Sequence, residues 1–351
     1  MTLRVIIYRL GVIPLLLLLC ILAACSQQDL DQEEQGMVSL KVLASPGTKA
    51  GEGETATATL PDKETDIFDL SIFIFNSNGD VIGFTSQDFS DGKPTAVVVK
   101  TRKATGCSVY AVANAKTLNG TSPFDGVSTL SVFQAKYLSF TDAKAPDNAS
   151  CLLMMGVSSG FDTSSASSAS PATITLKRLA SRIDYTIAVN NDNATGFPIV
   201  VDSYQLRNVP TWTFYQQSDF TNPSMPSSTT FADFDKVSTP ISSVAAATSA
   251  GTYYVYANDG TSKETYLDIL AHSDVKGTDG TKYTVWKSNF QVKMPDGKVK
   301  PNYHYKIDIV INGSVTGKDG GVITTYNAYP YFSGSTLNPW GTNENRDLDL
   351  Q

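Results

Sequence analysis

Two side chains in this sequence stand where covalent chemistry could occur: the thiol of Cys25 and the hydroxyl of Ser158. Cys25 directly follows Leu22-Ala23-Ala24, which closes an almost uninterrupted apolar run from Leu10 to Leu22, with Arg4 and Arg9 lying ahead of Cys25. A basic stretch, an apolar segment too short to span a bilayer as a mature helix, and a small-residue site together make a secretory signal. The Cys placed at that site resembles a lipobox, with cleavage between Ala24 and Cys25, a diacylglycerol on the thiol, and acylation of the new amino group. Several acyl chains hold a protein on a membrane where one would not. The expectation is a bacterial lipoprotein, anchored to the outer membrane through Cys25.

Ser158 sits in Gly156-Val157-Ser158-Ser159-Gly160, a match to G-x-S-x-G, and His272 and His304 are candidate bases downstream. A nucleophile elbow needs a strand, a sharp turn and a helix to raise the serine above a parallel sheet. The residues that follow, Phe161 to Ser167, form no helical pattern, and no strand–helix alternation occurs along the chain. A five-residue pattern with two wild cards arises easily in a Ser/Gly-rich stretch, so the segment from Ser158 to Pro171 reads as an exposed loop. No catalytic residue is assigned, and the chain is not expected to be an enzyme.

Metal chemistry finds no support either. His272 and His304, and the pair Cys107 and Cys151, lack zinc-ligand spacing. Asn190 to Gly196 offers side-chain oxygens but no closing acid, and reads as a polar turn and not a calcium loop. There is no phosphate-cradling loop and no basic aromatic patch. No metal or cofactor is expected, and the two thiols are left open as paired or free. Most of the 16 Tyr and 16 Phe fall in strand patterns and read as core; Tyr329 and Tyr331 could contact a sugar, though nothing singles them out.

The elements that position these residues are short alternating segments, punctuated by Gly, Asn, Asp, Ser and Pro, which is the sequence form of an all-β sandwich. Val38, Leu40 and Val42 alternate with Ser39 and Lys41; Ile67 to Phe75 is richer in apolar residues and ends at the turn Asn76-Ser77-Asn78-Gly79-Asp80. Val97 to Val99, Val109 to Ala113, Val200 to Leu206, Tyr253 to Tyr256, Tyr266 to Ala271, Tyr283 to Val292 and Tyr305 to Ile311 continue the pattern. Thr129 to Leu138 predicts one short helix, with Leu130, Phe133, Tyr137 and Leu138 on one face. Residues 217–250 read as a long loop. The fold predicted is all-β: two tandem β-sandwich, transthyretin-like domains with at most a short helix in the first. The divisions are 1–24 signal peptide, 25–36 polar tether, 37–176 first domain and 177–351 second domain with a donor-strand region.

Loss of residues 1–24 removes Arg4 and Arg9 and no acid, taking the net charge from −7 to −9. An acidic surface argues against nucleic acid as a partner.

Several segments together resemble the fimbrillin family, the type V pilus subunits of Bacteroidia. They are the lipobox, the strand Val38 to Leu43, the basic-Ala pair Thr48-Lys49-Ala50, and the strands Asp66 to Phe75 and Val109 to Asn114. Further along come Leu153 to Gly156, Leu176 to Ile183, Leu206 to Pro210, Tyr253 to Asn258, Asn302 to Ile307, and Pro339-Trp340. The resemblance implies a fimbrial subunit that supports adhesion and polymerises by donor-strand exchange. A surface protease would cut between Lys49 and Ala50, removing the first strand with Val38, Leu40 and Val42, and a neighbour's late strand would fill the groove. The donor region carries Val322, Tyr326, Leu348 and Leu350 as candidates; Lys49 stands where the family's stalk subunits have Arg, and Pro330 and Pro339 interrupt the donor region. The resemblance implies other subunits and a surface protease as partners, a surface ligand of host or bacterium, and passage from outer membrane to extracellular fimbrium, with a stalk role preferred to tip or anchor. The alternative is a monomeric outer-membrane lipoprotein that binds glycans and never loses its first strand.

Overall fold

A computed structural model describes residues 35–44, 62–94, 96–140, 142–163, 172–190, 199–216, 230–242, 248–276, 282–312, 323–324 and 327–330. The protein is all-β, as its alternation requires. The first strands are β1 (Gln35–Ala44), β2 (Asp69–Phe75), β3 (Val81–Asp88), β4 (Val97–Arg102), β5 (Cys107–Ala113), β6 (Tyr137–Ser139), β7 (Met154–Phe161) and β8 (Ala172–Arg178). Seven of them close in the order β1-β4-β3-β2-β5-β7-β8.

Two-residue periodicity decides what fills this barrel. Val38, Leu40 and Val42 of β1, Val97 and Val99 of β4, Leu70, Ile72 and Ile74 of β2, and Ile174 and Leu176 of β8 meet inside. The intervening residues of β2 and β5, among them Phe73, Phe75 and Tyr110, point outward, yet they are covered as well. Over them lie Phe124, Phe133, Leu138 and Tyr215, so β2 is buried on both faces and reads as a nearly continuous apolar run.

The cover is built from short pieces. Helices Ala115–Asn119, Leu130–Gln134 and Ala145–Asn148 stand where at most one short helix was expected. Elements of four or five residues complete little more than a turn, too little for a helical period to show in sequence. The helix predicted over Thr129 to Leu138 is correspondingly shorter: Thr129 caps it by accepting from the Val132 amide, and it stops at Gln134. Tyr137 and Leu138 belong instead to β6, which leaves Tyr137 exposed and Leu138 buried.

The later strands are β9 (Ala180–Asn190), β10 (Ile199–Arg207), β11 (Val209–Pro210), β12 (Trp212–Phe214), β13 (Phe231–Ala232), β14 (Thr248–Tyr256), β15 (Tyr266–Lys276), β16 (Lys282–Lys293), β17 (Tyr303–Asn312), β18 (Ile323–Thr324) and β19 (Asn327–Pro330). One sheet runs β14-β9-β17, with β18 and β19 on the far edge of β17; the other runs β10-β15-β16. Ile183, Tyr185, Ile187, Ile307, Ile309 and Ile311 from the first sheet share a core with Leu206, Leu267, Ile269, Phe290 and Val292 from the second. Burying a side chain of this kind is worth about 1.5 to 3 kcal/mol.

Residues 230–242 correct the long loop predicted over 217–250. Val237 and Ile241 bridge to Tyr204 and Val201 along the edge of β10, β13 pairs with β11, and Phe234 and Ile241 enter the core. Phe231, Phe234, Val237 and Ile241 are spaced too irregularly for a two-residue period, which hid this segment. Among the described residues no helix is long and apolar enough to cross a membrane.

Candidate functional site

The residues assigned to first-strand removal lie on β1, and its pairing is divided. Gln35 to Leu40 run antiparallel to β4, while Leu40 to Ala44 run parallel to β8. Leu40 has partners on both sides, Val97 and Ala172. The strand is therefore a wedge that closes the barrel, with its apolar residues Val38, Leu40 and Val42 at 0%, 0% and 3% exposure. On the other edge of β4 the β3–β4 seam is thin, with Gly83 opposite Thr101 as its pair. A Cβ at Gly83 would fall 2.8 Å from the Thr101 Cβ, so only glycine admits this approach. Withdrawing β1 would unpair the edges of β4 and β8 and open the core to water.

The segment after β1 re-enters the described structure at the turn Asp62–Glu64, and this turn is fastened across the molecule. Glu64 is fully buried. Its Oε1 accepts a hydrogen bond from Tyr254 Oη of β14 at 2.6 Å and lies 3.5 Å from Arg182 Nη1 of β9. Arg178 Nε of β8 donates to the Glu64 carbonyl at 2.7 Å and lies 3.8 Å from Oε2. Asn302 Oδ1 accepts from the Arg178 amide, and Lys63 Nζ lies 4.0 Å above the Tyr254 ring. Burial, reinforced by the bond to Glu64, pushes the Tyr254 hydroxyl far up, so it remains a donor. The turn thus ties β8, at the barrel, to β9, β14 and the approach to β17.

A second charge cluster continues from Arg182. Arg182 Nε donates to Asp184 Oδ1 at 3.0 Å, Thr252 Oγ1 donates to the same oxygen at 2.6 Å, and His304 Nε2 lies 2.6 Å from Oδ2. Burial alone would raise the Asp184 carboxyl, but these hydrogen bonds hold it well below the usual carboxylate range.

The other sequence candidates fall apart in space. Ser158 lies in β7, whose strand runs through Phe161, so Ser158 to Phe161 is not the loop predicted, and no strand-to-helix elbow exists there. Gly156 is explained by packing: a Cβ there would fall 2.6 Å from the Thr175 carbonyl oxygen of β8. His272 and His304 sit on β15 and β17, in other sheets, each bound to an aspartate, Asp202 and Asp184. Cys107 and Cys151 are free and buried, and burial pushes the Cys151 thiol up to about 11. Among the described residues no cluster of three or more His, Cys, Asp and Glu side chains is placed to hold a metal. Cys25, Ala24, Lys49, Ala50, Val322, Tyr326, Leu348 and Leu350 lie outside the described residues, as do the turn 191–196 and Tyr331.

The sequence did not single out Glu64 or Tyr254 as functional. Arg178 and Arg182 did carry a signal, since each interrupts an otherwise apolar strand pattern with a cation.

Residues 37–196 match the model of the family described as Major fimbrial subunit protein (FimA), the kind of family that the motifs resemble. The fold is similar to that of a candidate cell adhesion protein from Parabacteroides distasonis ATCC 8503, with TM-score 0.61, 17% identity, and 86% of this chain and 98% of that chain covered. A second candidate cell adhesion protein, from Bacteroides eggerthii DSM 20697, gives TM-score 0.59 at 20% identity, again covering 86% of this chain and 98% of that chain. The tip fimbrial protein Mfa3 from Porphyromonas gingivalis, with C-terminal truncation, gives TM-score 0.51 at 13% identity, covering 85% of this chain and 100% of that chain. No curated protein matches.

Proposed function

We propose that this protein is a subunit of type V fimbriae, exported as a lipoprotein precursor and polymerised by protease-triggered donor-strand exchange. The observation that carries the reading is β1 itself, a strand with a fully apolar inner face, wedged between two edges and joined to the rest of the chain through residues 45–61. Acylation at Cys25 holds the precursor at the outer membrane. Cleavage between Lys49 and Ala50 frees β1, and a strand of a neighbouring subunit takes its seat. Because each junction is head-to-tail, the contact does not close and a filament grows. The two cores correspond in this reading to two tandem β-sandwich domains that divide near Lys177. The kinship with fimbrial subunits and the likeness to adhesion-protein folds support an adhesive surface role, with a stalk position preferred. No step in this activity requires a catalytic residue or cofactor.

The N-terminal residue and intact mass of protein sheared from the cell surface test the reading. Filaments whose chains begin at Ala50 are expected. Monomers that all begin at an acylated Cys25 would overturn it and favour a glycan-binding lipoprotein.

A further inference from the structure

The two walls of the β1 seat are held differently. β8 pairs with β1 over Ala172 to Leu176, and on its other edge it pairs with β7 only at Lys177 and Arg178, opposite Met155 and Met154. Ile174 and Leu176 pack into the barrel core, and Gly156 lies close to the Thr175 carbonyl. The described strand ladder of Ala172 to Leu176, however, runs to β1 alone. A strand that projects past its last paired residue on one edge takes its position from the point where it is fixed, which here is Arg178.

At that point the second core takes hold. The Arg178 amide donates to Asn302 Oδ1 at 3.1 Å, and the Asn302 amide donates to the Ala180 carbonyl at 3.2 Å, so this residue clips the backbone on both sides of Leu179. Asn302 is buried and left-handed, with φ 60°, a conformation that asparagine adopts more readily than other residues bearing a side chain. Beside the clip, Ser181 Oγ donates to the Lys300 carbonyl. Arg178 Nε donates to the Glu64 carbonyl, and Glu64 is in turn held by Tyr254 of β14. The bonds of β4 run differently: Thr101 Oγ1 donates to the Ile82 carbonyl of β3, and Thr163 Oγ1 to the Arg102 carbonyl, both within the first core.

We infer that Asn302 and Glu64 are positioning residues for strand capture: through Arg178 they hold the end of β8, so that the second core sets how tightly the seat of the first binds a strand. The inference rests on the strand-exchange reading above, but not on which strand arrives. Register is what the fastening protects. A slip of β8 by one residue would turn Ile174 and Leu176 out of the core and bring the exposed Thr173 and Thr175 in. Among the described residues β7 opposes that slip at two paired positions, and the bonds to Glu64 and Asn302 add to them at the same end of the strand.

The test uses the full chain with a specific protease site placed within residues 45–61, nicked after folding, and a fluorescent synthetic peptide of residues 35–49 as the incoming strand. Wild-type nicked protein is expected to exchange β1 for the peptide. Asn302→Gly keeps the left-handed backbone, which glycine adopts freely, and removes the acceptor of the Arg178 amide. It is expected to weaken peptide binding about fivefold, the worth of one hydrogen bond. Glu64→Gln keeps an acceptor for Tyr254, is expected to weaken binding in the same direction, and decides the matter if Asn302→Gly does not fold. In the peptide-bound variants, hydrogen exchange should quicken over Ala172 to Leu176 and stay as in the wild type over Val97 to Arg102, because only the β8 wall is loosened. Asp202→Asn, which weakens the contact with His272 inside the second core, controls for lost stability and should bind the peptide as the wild type does. Unchanged binding in either folded variant would overturn the inference, as would equal weakening by Asp202→Asn or equal loss of protection on β4 and β8. Wild-type protein that never takes up the peptide would instead sink the strand-exchange reading itself.

Discussion

Glu64 brings a carboxylate into a site with no exposure, where Tyr254, Arg178 and Arg182 converge on it. A buried pair gains little over a well-packed apolar substitute, but breaking one strands the remaining charge. Glu64→Ala should therefore cost about 3 to 5 kcal/mol in denaturant unfolding, because the buried Arg178 loses the Glu64 carboxylate and Arg182 keeps only Asp184. Glu64→Gln keeps an acceptor for Tyr254 and should cost less; equal losses would show that shape and not charge matters here. Asp184 gives a pH signature. Its folded carboxyl is held low, so the stability it supplies is complete above the ordinary unfolded value of about 3.9 and is lost as pH falls below that toward the folded one. Wild-type protein should lose unfolding free energy faster than Asp184→Asn on acidification below about pH 4, while near neutrality Asp184→Asn should be less stable by about 1.5 to 3 kcal/mol. Parallel curves would remove Asp184 from the account. The buried thiols make a further check: with Cys151 pushed up to about 11, native protein at pH 8 should resist alkylation at Cys151, and unfolded protein should take label there.

At the scale of elements, β1 is a core strand and, in the proposed exchange, also the piece removed, and those roles need the same residues. Leu40, which has neighbours on both edges, should cost about 2 to 5 kcal/mol when cut to Ala, through lost burial and the cavity left behind. A substitution that weakens the hold of β1 should also hasten its departure after cleavage, so Leu40→Ala precursor nicked within residues 45–61 should release its first strand faster than wild type. Slower or unchanged release would show that β1 leaves only after some other step. The tight strand crossings argue in the same way. At Gly156 the Thr175 carbonyl and the Ile174 side chain occupy the space a Cβ needs, so Gly156→Ala should destabilise the β7–β8 pairing by about 1 to 3 kcal/mol, read from thermal unfolding. Alternation made nearly every long strand legible beforehand, whereas the short helices and the 230–242 segment lacked enough repeats of any period to be recognised.

For the whole molecule, the arrangement separates the strand that the proposed exchange would remove from the contacts that would stay. Ahead of the linking segment lies β1, seated by backbone ladders and apolar contacts; behind it lies the Glu64 turn, fastened to β8, β9 and β14 by buried polar bonds. Apolar pockets accept any strand of the right pattern, so the seat can be refilled. Buried charge pairs accept few substitutes, so the junction between the two cores should hold while the seat is empty. Protein stripped of β1 should accordingly lose hydrogen-exchange protection along β4 and β8 but keep it along β9 and β17. Uniform loss across all four strands would mean that the two cores unfold together.

The sequence by itself determined the all-β class, the positions of most long strands and the likeness to fimbrial subunits, because alternation and turn residues are local patterns read along the chain. It also exposed the emptiness of the G-x-S-x-G match, since the helix such a site demands had no periodicity to support it. Only the tertiary structure decided that β1 is divided between antiparallel and parallel partners, and that Glu64 meets Tyr254 across 190 positions of sequence. Those facts depend on which strands become neighbours, and strand order is fixed by how two-sided apolar faces are covered in three dimensions, a sum over distant contacts that no local pattern records.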